Sequence, residues 1–187
     1  MPPQSPHDLD LAIGFFKQAC FDLLNAENLQ SNVGANALRL AQCQQACEKA
    51  LKAFVLIRVG RSSYCKPGHR VLTSDLQNDS LNGRTWNEGI KSDDLKQLRD
   101  EINELCANMI EGIKDLENIA PAGWSHPNTE YPWIAELNVF IPSDHFVNDH
   151  QIVNSCKVAR AVVKSIKSKH PKFIKGWETV KTVFSNL

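Results

Sequence analysis

Four basic side chains near the C-terminal end of the chain have the spacing of one helix face. They step by three, four and three residues, and they are Lys157, Arg160, Lys164 and Lys167. Residues three and four apart lie on the same side of an α-helix, so the four form one basic stripe. Such a stripe can hold the phosphates of a nucleotide or of an RNA backbone, and a guanidinium suits bidentate contact. The alternative is a solvated basic face, matched by acidic residues of the same molecule or of a partner.

An aromatic segment precedes this helix and offers a second way to contact the same ligand. Residues 120–147 contain four prolines, and their large aromatic residues include Trp124, Tyr131, Trp133 and Phe140. Tyr131 or Trp133 can stack on a base while a cation of the basic stripe binds its phosphate. Long loops are uncommon in compact domains and are often functional. The alternative is that Trp124 and Trp133 only cover one end of the core.

The chain of 187 residues carries no formal net charge, because 21 basic residues balance 21 acidic ones. Neutrality argues against a protein whose whole surface is basic for DNA binding. The charge is nevertheless uneven: residues 151–187 contain eight basic residues and one acid, whereas residues 88–117 contain nine acids and four bases. We therefore expect either one localised anion site or contact between patches of opposite charge across a dimer.

Composition also limits the class of protein. The chain is 42% apolar and 22% charged, which is typical of a folded domain and argues against disorder. Its longest apolar run, residues 53–57, is far shorter than the roughly 20 residues of a membrane helix. Six cysteines are spread along the chain without a Cys-x-x-Cys pair, and we interpret them as reduced thiols, mostly in the core. These features predict a cytoplasmic protein without a membrane partner.

We expect no metal and no cofactor. His145, His150 and Cys156 lie near the start of the late helix, but they match no established zinc-ligand spacing. The chain also lacks a glycine-rich phosphate loop and a dinucleotide fingerprint. Side chains and helix N-termini must therefore hold any nucleotide that binds.

Apolar residues recur at helical spacing over most of the chain. Six helices are predicted: from Asp8 or Asp10 to a break at residues 31–34, then over 35–59, 69–76, 92–119 and 148–169, with a short one from Phe173. The second is predicted to be amphipathic on one side only. Its predicted solvent face holds Gln42, Gln45, Lys49 and Lys52.

These helices predict one all-α domain over residues 1–187. We expect an antiparallel, up-and-down bundle of four to five helices, with the long aromatic-rich loop before the last bundle helix. The sequence shows no convincing strand pattern and no internal repeat.

Four segments of the chain carry a resemblance to a known family. Ala41–Ala53 reads AQCQQACEKALKA, and it is followed by a His-led segment at 69–76, by Glu130–Pro132 and by Pro142–Phe146. In this order they resemble the landmarks of the HEPN (higher eukaryotes and prokaryotes nucleotide-binding) family, over about residues 9–170. The resemblance implies an antiparallel bundle of four to five helices that is commonly dimeric. Members of that family bind nucleotides, accompany small nucleotidyltransferases, or cleave RNA as toxins.

Two departures from the family pattern concern the site. Glu130 stands where the family has an arginine before Tyr131 and Pro132. The nuclease branch of the family has an arginine and a histidine separated by four to six residues, and no pair in this chain has that spacing. On one helix, Arg160 and His170 are about 15 Å apart along the axis, too far to act on one phosphate. We therefore expect no catalytic residue.

The resemblance and the residues together lead to one functional expectation. The chain is expected to be a non-catalytic HEPN-like homodimer that binds a nucleotide or RNA, or to act as an accessory subunit of a nucleotidyltransferase-type partner. The expected contacts are Lys157, Arg160, Lys164, Lys167, Tyr131 and Trp133. Two alternatives stay open: a divergent RNA-cleaving toxin of a toxin–antitoxin pair, and a helical protein-interaction module.

Overall fold

A computed structural model describes residues 6–29, 33–59, 133–135, 138–140 and 149–170, together with residues 97, 100, 101, 104, 173 and 178. Among these residues, three helices have defined bounds: α1 (Pro6–Asn28), α2 (Val33–Val59) and α3 (Asp149–Lys169). Two short strands, β1 (Trp133–Ala135) and β2 (Asn138–Phe140), lie between α2 and α3 in the chain. The all-α class is confirmed for these residues apart from the hairpin of β1 and β2.

The helix ends agree closely with the sequence signals. Pro6 occupies the first position of α1, where its missing N–H is not needed, and Asp8 lies in the positively polarised first turn. The predicted ends of α2 at residue 59 and of α3 at residue 169 are confirmed. Pro171 follows the end of α3, since proline cannot continue a helix. α1 begins two residues before the expected start, and α2 begins at Val33 rather than Ala35.

Long-range contacts fix the direction of each helix. α1 and α2 are antiparallel, because Arg39 contacts Ala26 while Lys49, farther along α2, contacts Asp22. α3 is antiparallel to α1 as well, because Arg160 contacts Glu27 near the end of α1 while Phe173, just after α3, contacts Phe16. α2 and α3 therefore run in the same direction. α2 packs along both of the other helices, whereas α1 and α3 contact each other less extensively.

The core between the helices is built from small and large residues in alternation along α1. Ala12, Phe16, Ala19, Leu23 and Ala26 step by four and three residues, and all are fully buried. This is the heptad spacing that keeps one seam of a helix against its neighbour. The alanines allow close approach of α2, and the phenylalanine and leucine fill the remaining space.

α2 is the central helix, and the prediction that it is amphipathic on one side only is wrong. Between residues 35 and 58, only Leu38 is exposed. Lys49 and Lys52, predicted to lie on a solvent face, are half-buried in ion pairs with Asp22 and Glu48. Asp22 belongs to α1, whereas Glu48 belongs to α2 itself. A helix wheel identifies the polar side of a helix, but it does not reveal that a neighbouring helix supplies a partner for it.

Four aromatic rings close one end of the helices. The rings of Phe16 on α1 and Phe173, beyond α3, are stacked with centroids 4.7 Å apart. His170 meets Phe54 of α2 edge-on at 5.3 Å and Phe173 at 5.8 Å. Phe173 N–H donates to the carbonyl of His170 at 2.9 Å, which turns the chain after α3. The segment after α3 is thereby joined to α1 and α2.

The predicted acidic helix over residues 92–119 is described at four positions. Gln97, Asp100, Glu101 and Glu104 are helical. Glu101 pairs with Arg58 near the end of α2, and Glu104 accepts a hydrogen bond from Lys169 Nζ at the end of α3, at 2.8 Å. The other residues of that prediction and the whole predicted helix over 69–76 lie outside the described residues. Of the predicted last helix, Phe173 and Glu178 are described.

The hairpin corrects the expectation that the chain has no strand. β1 and β2 are antiparallel, with Trp133 opposite Phe140, Ile134 opposite Val139, and Ala135 opposite Asn138. Three-residue strands are too short to produce the alternation of four to eight residues by which a strand is recognised in a sequence. Within the helices described, none is long and apolar enough to cross a membrane.

The buried thiol of Cys20 on α1 provides a test of how well the core between the helices excludes water. Its side chain is fully buried, and burial raises the pKa of the thiol to about 12, against an ordinary value of 9.0. From about pH 9 upward the unfolded chain loses this proton while the folded chain keeps it, so stability falls as the pH rises. Below pH 9 the thiol is protonated in both states and contributes no pH dependence.

We expect Cys20→Ala to weaken the alkaline loss of stability by up to about 1.4 kcal/mol per pH unit above pH 9. Urea unfolding of the wild type and the variant at pH 8, 9, 10 and 11 measures the difference in slope. Comparison of slopes removes the constant cost of the smaller side chain and the titration of lysines shared by both proteins. Equal slopes would contradict a water-excluded Cys20.

Candidate functional site

A cleft of about 220 Å³ opens where the end of α1 meets the first halves of α2 and α3. Its walls are formed by six residues, Glu27, Arg39, Val153, Cys156, Lys157 and Arg160. The antiparallel run of α1 against the other two helices places the end of α1 beside the early turns of both. We call this site the cationic cleft, because three of its six side chains are basic and one is acidic.

Arg160 and Glu27 form a bidentate ion pair across the cleft. Arg160 Nε donates to Glu27 Oε1 at 2.7 Å, and Arg160 Nη2 donates to Oε2 of the same carboxylate. The hydrogen bonds that Arg160 donates to Glu27 raise the pKa of Arg160 above its ordinary value. Two parallel hydrogen bonds fix the plane of the guanidinium, and so Arg160 is held in one orientation.

Arg39 connects the cleft to the end of α1. Its Nε donates to the carbonyl of Ala26 at 2.9 Å, which satisfies one of the carbonyl groups that a helix end leaves without an intrahelical partner. The same guanidinium also lies close enough to Cys156 to stabilise its thiolate form. Arg39 thus brings a positive charge from α2 to a cleft whose other cations belong to α3.

Two cysteine thiols meet at the inner wall of the cleft. Cys43 Sγ of α2 and Cys156 Sγ of α3 are 3.4 Å apart, although 113 residues separate them in the chain. Cys43 is fully buried, and Cys156 is 9% exposed. The contact with Cys43 and the charge of Arg39 lower the pKa of Cys156, while the contact with Cys156 and burial raise the pKa of Cys43. Of the two, Cys156 therefore loses its proton first.

The structure brings two of the six predicted site residues into the cleft. Lys157 and Arg160 line it, whereas Lys164 is exposed and Lys167 half-buried farther along α3. Tyr131 and the side chain of Trp133 lie outside the described residues. The alternative for the basic stripe was pairing with acidic residues of the same molecule. Within the stripe, Arg160 pairs with Glu27, and beyond the stripe Lys169 pairs with Glu104.

Sequence reasoning missed three residues that line the cleft, Glu27, Arg39 and Val153, and it missed the contact of Cys43 behind the cleft. The sequence predicts Cys43 only as one of the reduced core thiols, and it offers no sign that Cys156 would lie against it. Four of the cysteines, Cys20, Cys43, Cys47 and Cys156, are buried free thiols, and their place in the core is confirmed. Cys65 and Cys106 lie outside the described residues.

Among the described residues, no group of three His, Cys, Asp or Glu side chains could hold a metal ion, and His145 lies outside them. The chain as a whole matches no family model, no curated protein and no solved structure.

Proposed function

We propose that this chain is a HEPN-like helical domain that binds a phosphate of a nucleotide or of RNA in the cationic cleft, without cleaving it. The observation that carries the proposal is the convergence of Arg39, Lys157 and Arg160 around a cleft with one carboxylate. With the thiol neutral, these side chains have a net charge of +2, which suits a phosphate group. The proposal includes the four-to-five-helix bundle, the homodimer and the role as accessory subunit of a nucleotidyltransferase.

Preorganisation of the cations supports phosphate binding. Glu27 orients Arg160, and the Ala26 carbonyl orients Arg39, so neither guanidinium has to be ordered when the ligand arrives. Binding energy is retained when side chains are already in place. Lys157 is exposed and supplies a mobile ammonium that can follow the anion.

Glu27 also limits the affinity of the cleft. Its carboxylate occupies two donors of Arg160 and adds a negative charge where the phosphate would bind. A phosphate must therefore share Arg160 with Glu27 or displace it. Removal of this charge without change of shape is the most direct way to raise affinity at the proposed site.

The basic stripe distinguishes a mononucleotide ligand from an RNA strand. Lys164 lies one helical turn beyond Arg160, about 6 Å along α3, and does not line the cleft. A mononucleotide bound in the cleft is not expected to contact Lys164. An RNA backbone that continues along α3 contacts it, because phosphates of one strand repeat at a similar distance. Tyr131 and Trp133 are the proposed stacking residues for the base.

We expect Arg160→Ala to weaken nucleotide binding about tenfold or more, since hydrogen bonds to charged groups contribute about 1.5–3 kcal/mol. Glu27→Gln is expected to strengthen binding severalfold. Isothermal titration calorimetry with ATP and with a ten-nucleotide single-stranded RNA, at two salt concentrations, measures both effects. Phosphate contacts predict weaker binding at higher salt.

Lys169→Ala is the matched control, because it removes the same charge from α3 beyond the cleft, at the site that binds Glu104. Lys164→Ala distinguishes the ligands: it weakens RNA binding if the strand follows α3 and leaves ATP binding unchanged. If neither ligand binds the wild type, or if Arg160→Ala and Lys169→Ala have equal effects, the proposed site is wrong.

A further inference from the structure

Cys43 and Cys156 form a close pair of thiols between two helices. The sulfur atoms are 3.4 Å apart, and they belong to different helices, α2 and α3. A disulfide bond is about 2.0 Å long, so bond formation requires the two sulfur atoms to approach by roughly 1.4 Å. Neither thiol is used in the proposed binding of phosphate.

The two thiols differ in access to solvent. Cys156 lines the cationic cleft, whereas Cys43 is fully buried behind it. The cleft of about 220 Å³ has room for a molecule as small as hydrogen peroxide. An oxidant that enters from solvent therefore meets Cys156 before Cys43.

The charges around Cys156 favour its thiolate, which is the nucleophilic form of cysteine. The contact with the thiol of Cys43, 3.4 Å away, and the positive charge of Arg39 both lower the pKa of Cys156. Glu27 and burial act in the opposite direction, and the bidentate pair with Arg160 offsets part of the charge of Glu27. The other two described thiols, Cys20 and Cys47, are buried, and neither lines the cleft.

We propose that Cys156 is a peroxide-reactive cysteine and that Cys43 resolves it, forming a reversible disulfide that links α2 to α3. The proposal rests on the thiol pair and the open cleft, and it holds whether or not a nucleotide binds there.

The chemistry requires one oxidant, hydrogen peroxide, and two steps. In the first, the Cys156 thiolate attacks one oxygen of the peroxide, the O–O bond breaks, and a sulfenic acid forms while the released hydroxide takes up a proton to give water. In the second, Cys43 loses its proton and its sulfur attacks the sulfenic sulfur. The S–O bond breaks and water leaves. Two thiols and one peroxide thus give one disulfide and two waters, and a dithiol such as dithiothreitol reverses the bond.

The test is peroxide treatment of the folded, full-length chain, followed by alkylation and mass spectrometry of tryptic peptides. We expect residues 40–49 to be linked to residues 115–157, with two fewer free thiols per chain, reversed by dithiothreitol. Because residues 40–49 contain both Cys43 and Cys47, the same experiment on Cys47→Ala identifies the linked cysteine. Linkage should persist in that variant.

Single replacements separate the two roles. In Cys43→Ala the sulfenic acid of Cys156 has no resolving thiol, so we expect dimedone to label Cys156 at least tenfold more than in the wild type. In Cys156→Ala, Cys43 is expected to remain unlabelled. Far-ultraviolet circular dichroism verifies that each variant is folded.

The disulfide is also expected to raise the Tm of the wild type by roughly 5–15 °C, because it closes a loop of more than 100 residues. Cys47→Ala should show the same rise on oxidation, and Cys43→Ala none. The proposal is overturned if peroxide leaves Cys156 unmodified in the folded wild type, or if linkage appears only in urea. It is also overturned if dimedone labels Cys156 equally in the wild type and in Cys43→Ala.

Discussion

Replacement of Phe16 by alanine is expected to lower the free energy of unfolding by about 3–5 kcal/mol, the usual cost of removing a buried phenylalanine ring. The side chain is fully buried in the seam between α1 and α2. It also stacks on Phe173 at 4.7 Å, and aromatic pairs add about 0.5–1.5 kcal/mol beyond the area that they bury. Since domains are stable by only about 5–15 kcal/mol, this loss is a large part of the total.

Urea unfolding followed by circular dichroism measures the loss. Leu38→Ala is the matched control, because Leu38 is 49% exposed on α2 and its removal should change stability by no more than about 0.5 kcal/mol. Phe173→Ala and the double variant complete a cycle. We expect the double variant to lose less than the sum of the two single losses, because the first replacement already removes the stack. Strict additivity would show that Phe173 does not pack on Phe16.

Lys49→Met is expected to lower the free energy of unfolding by about 2–4 kcal/mol. Removal of one member of a buried ion pair costs more than the pair contributes, because the remaining charge has no counterion. Lys49 Nζ binds Asp22 Oδ2 at 2.6 Å, and the side chains of Lys49 and Asp22 are 23% and 5% exposed. The expected value lies below that of a fully buried pair because water reaches the ammonium group. Gln18, which donates to the other oxygen of Asp22 at 2.9 Å, remains as its hydrogen-bond donor.

The double variant Asp22→Leu, Lys49→Met is the control for this prediction. It removes both charges and places apolar groups in their position, so most of the stability should return. Chemical unfolding of the wild type, both single variants and the double variant gives the coupling energy. If Lys49→Met alone is as stable as the wild type, the ion pair of Lys49 with Asp22 does not stabilise the folded state.

The helices themselves follow from local physical chemistry, and for that reason they were predictable. The periodic apolar residues of α1 and α3, with Pro171 after the latter, determine where these elements lie. The core faces of the helices were also predictable. Leu23 of α1, and Ala159 and Val163 of α3, each belong to an apolar series at helical spacing, and all three are buried. The hairpin was missed because strands of three residues leave no periodic signal.

The cationic cleft was predictable only in part. Lys157 and Arg160 could be placed on one face of α3 from their spacing, and they lie in the cleft. Their neighbours could not be foreseen, because Glu27 and Arg39 come from helices more than 100 residues away in the chain. Spacing within a helix predicts which side chains share a face. It does not predict which side chains of other helices lie opposite that face.

The sequence by itself determined the mainly helical character of the described residues, where α2 and α3 end, and the segregation of charge into an acidic middle and a basic C-terminal region. These depend on interactions between residues a few positions apart. Tertiary structure alone decided that α2 is central, that Glu27 binds Arg160, and that Cys43 meets Cys156. Each of those depends on how helices are set against each other in register, and register is fixed by the packing of the whole core.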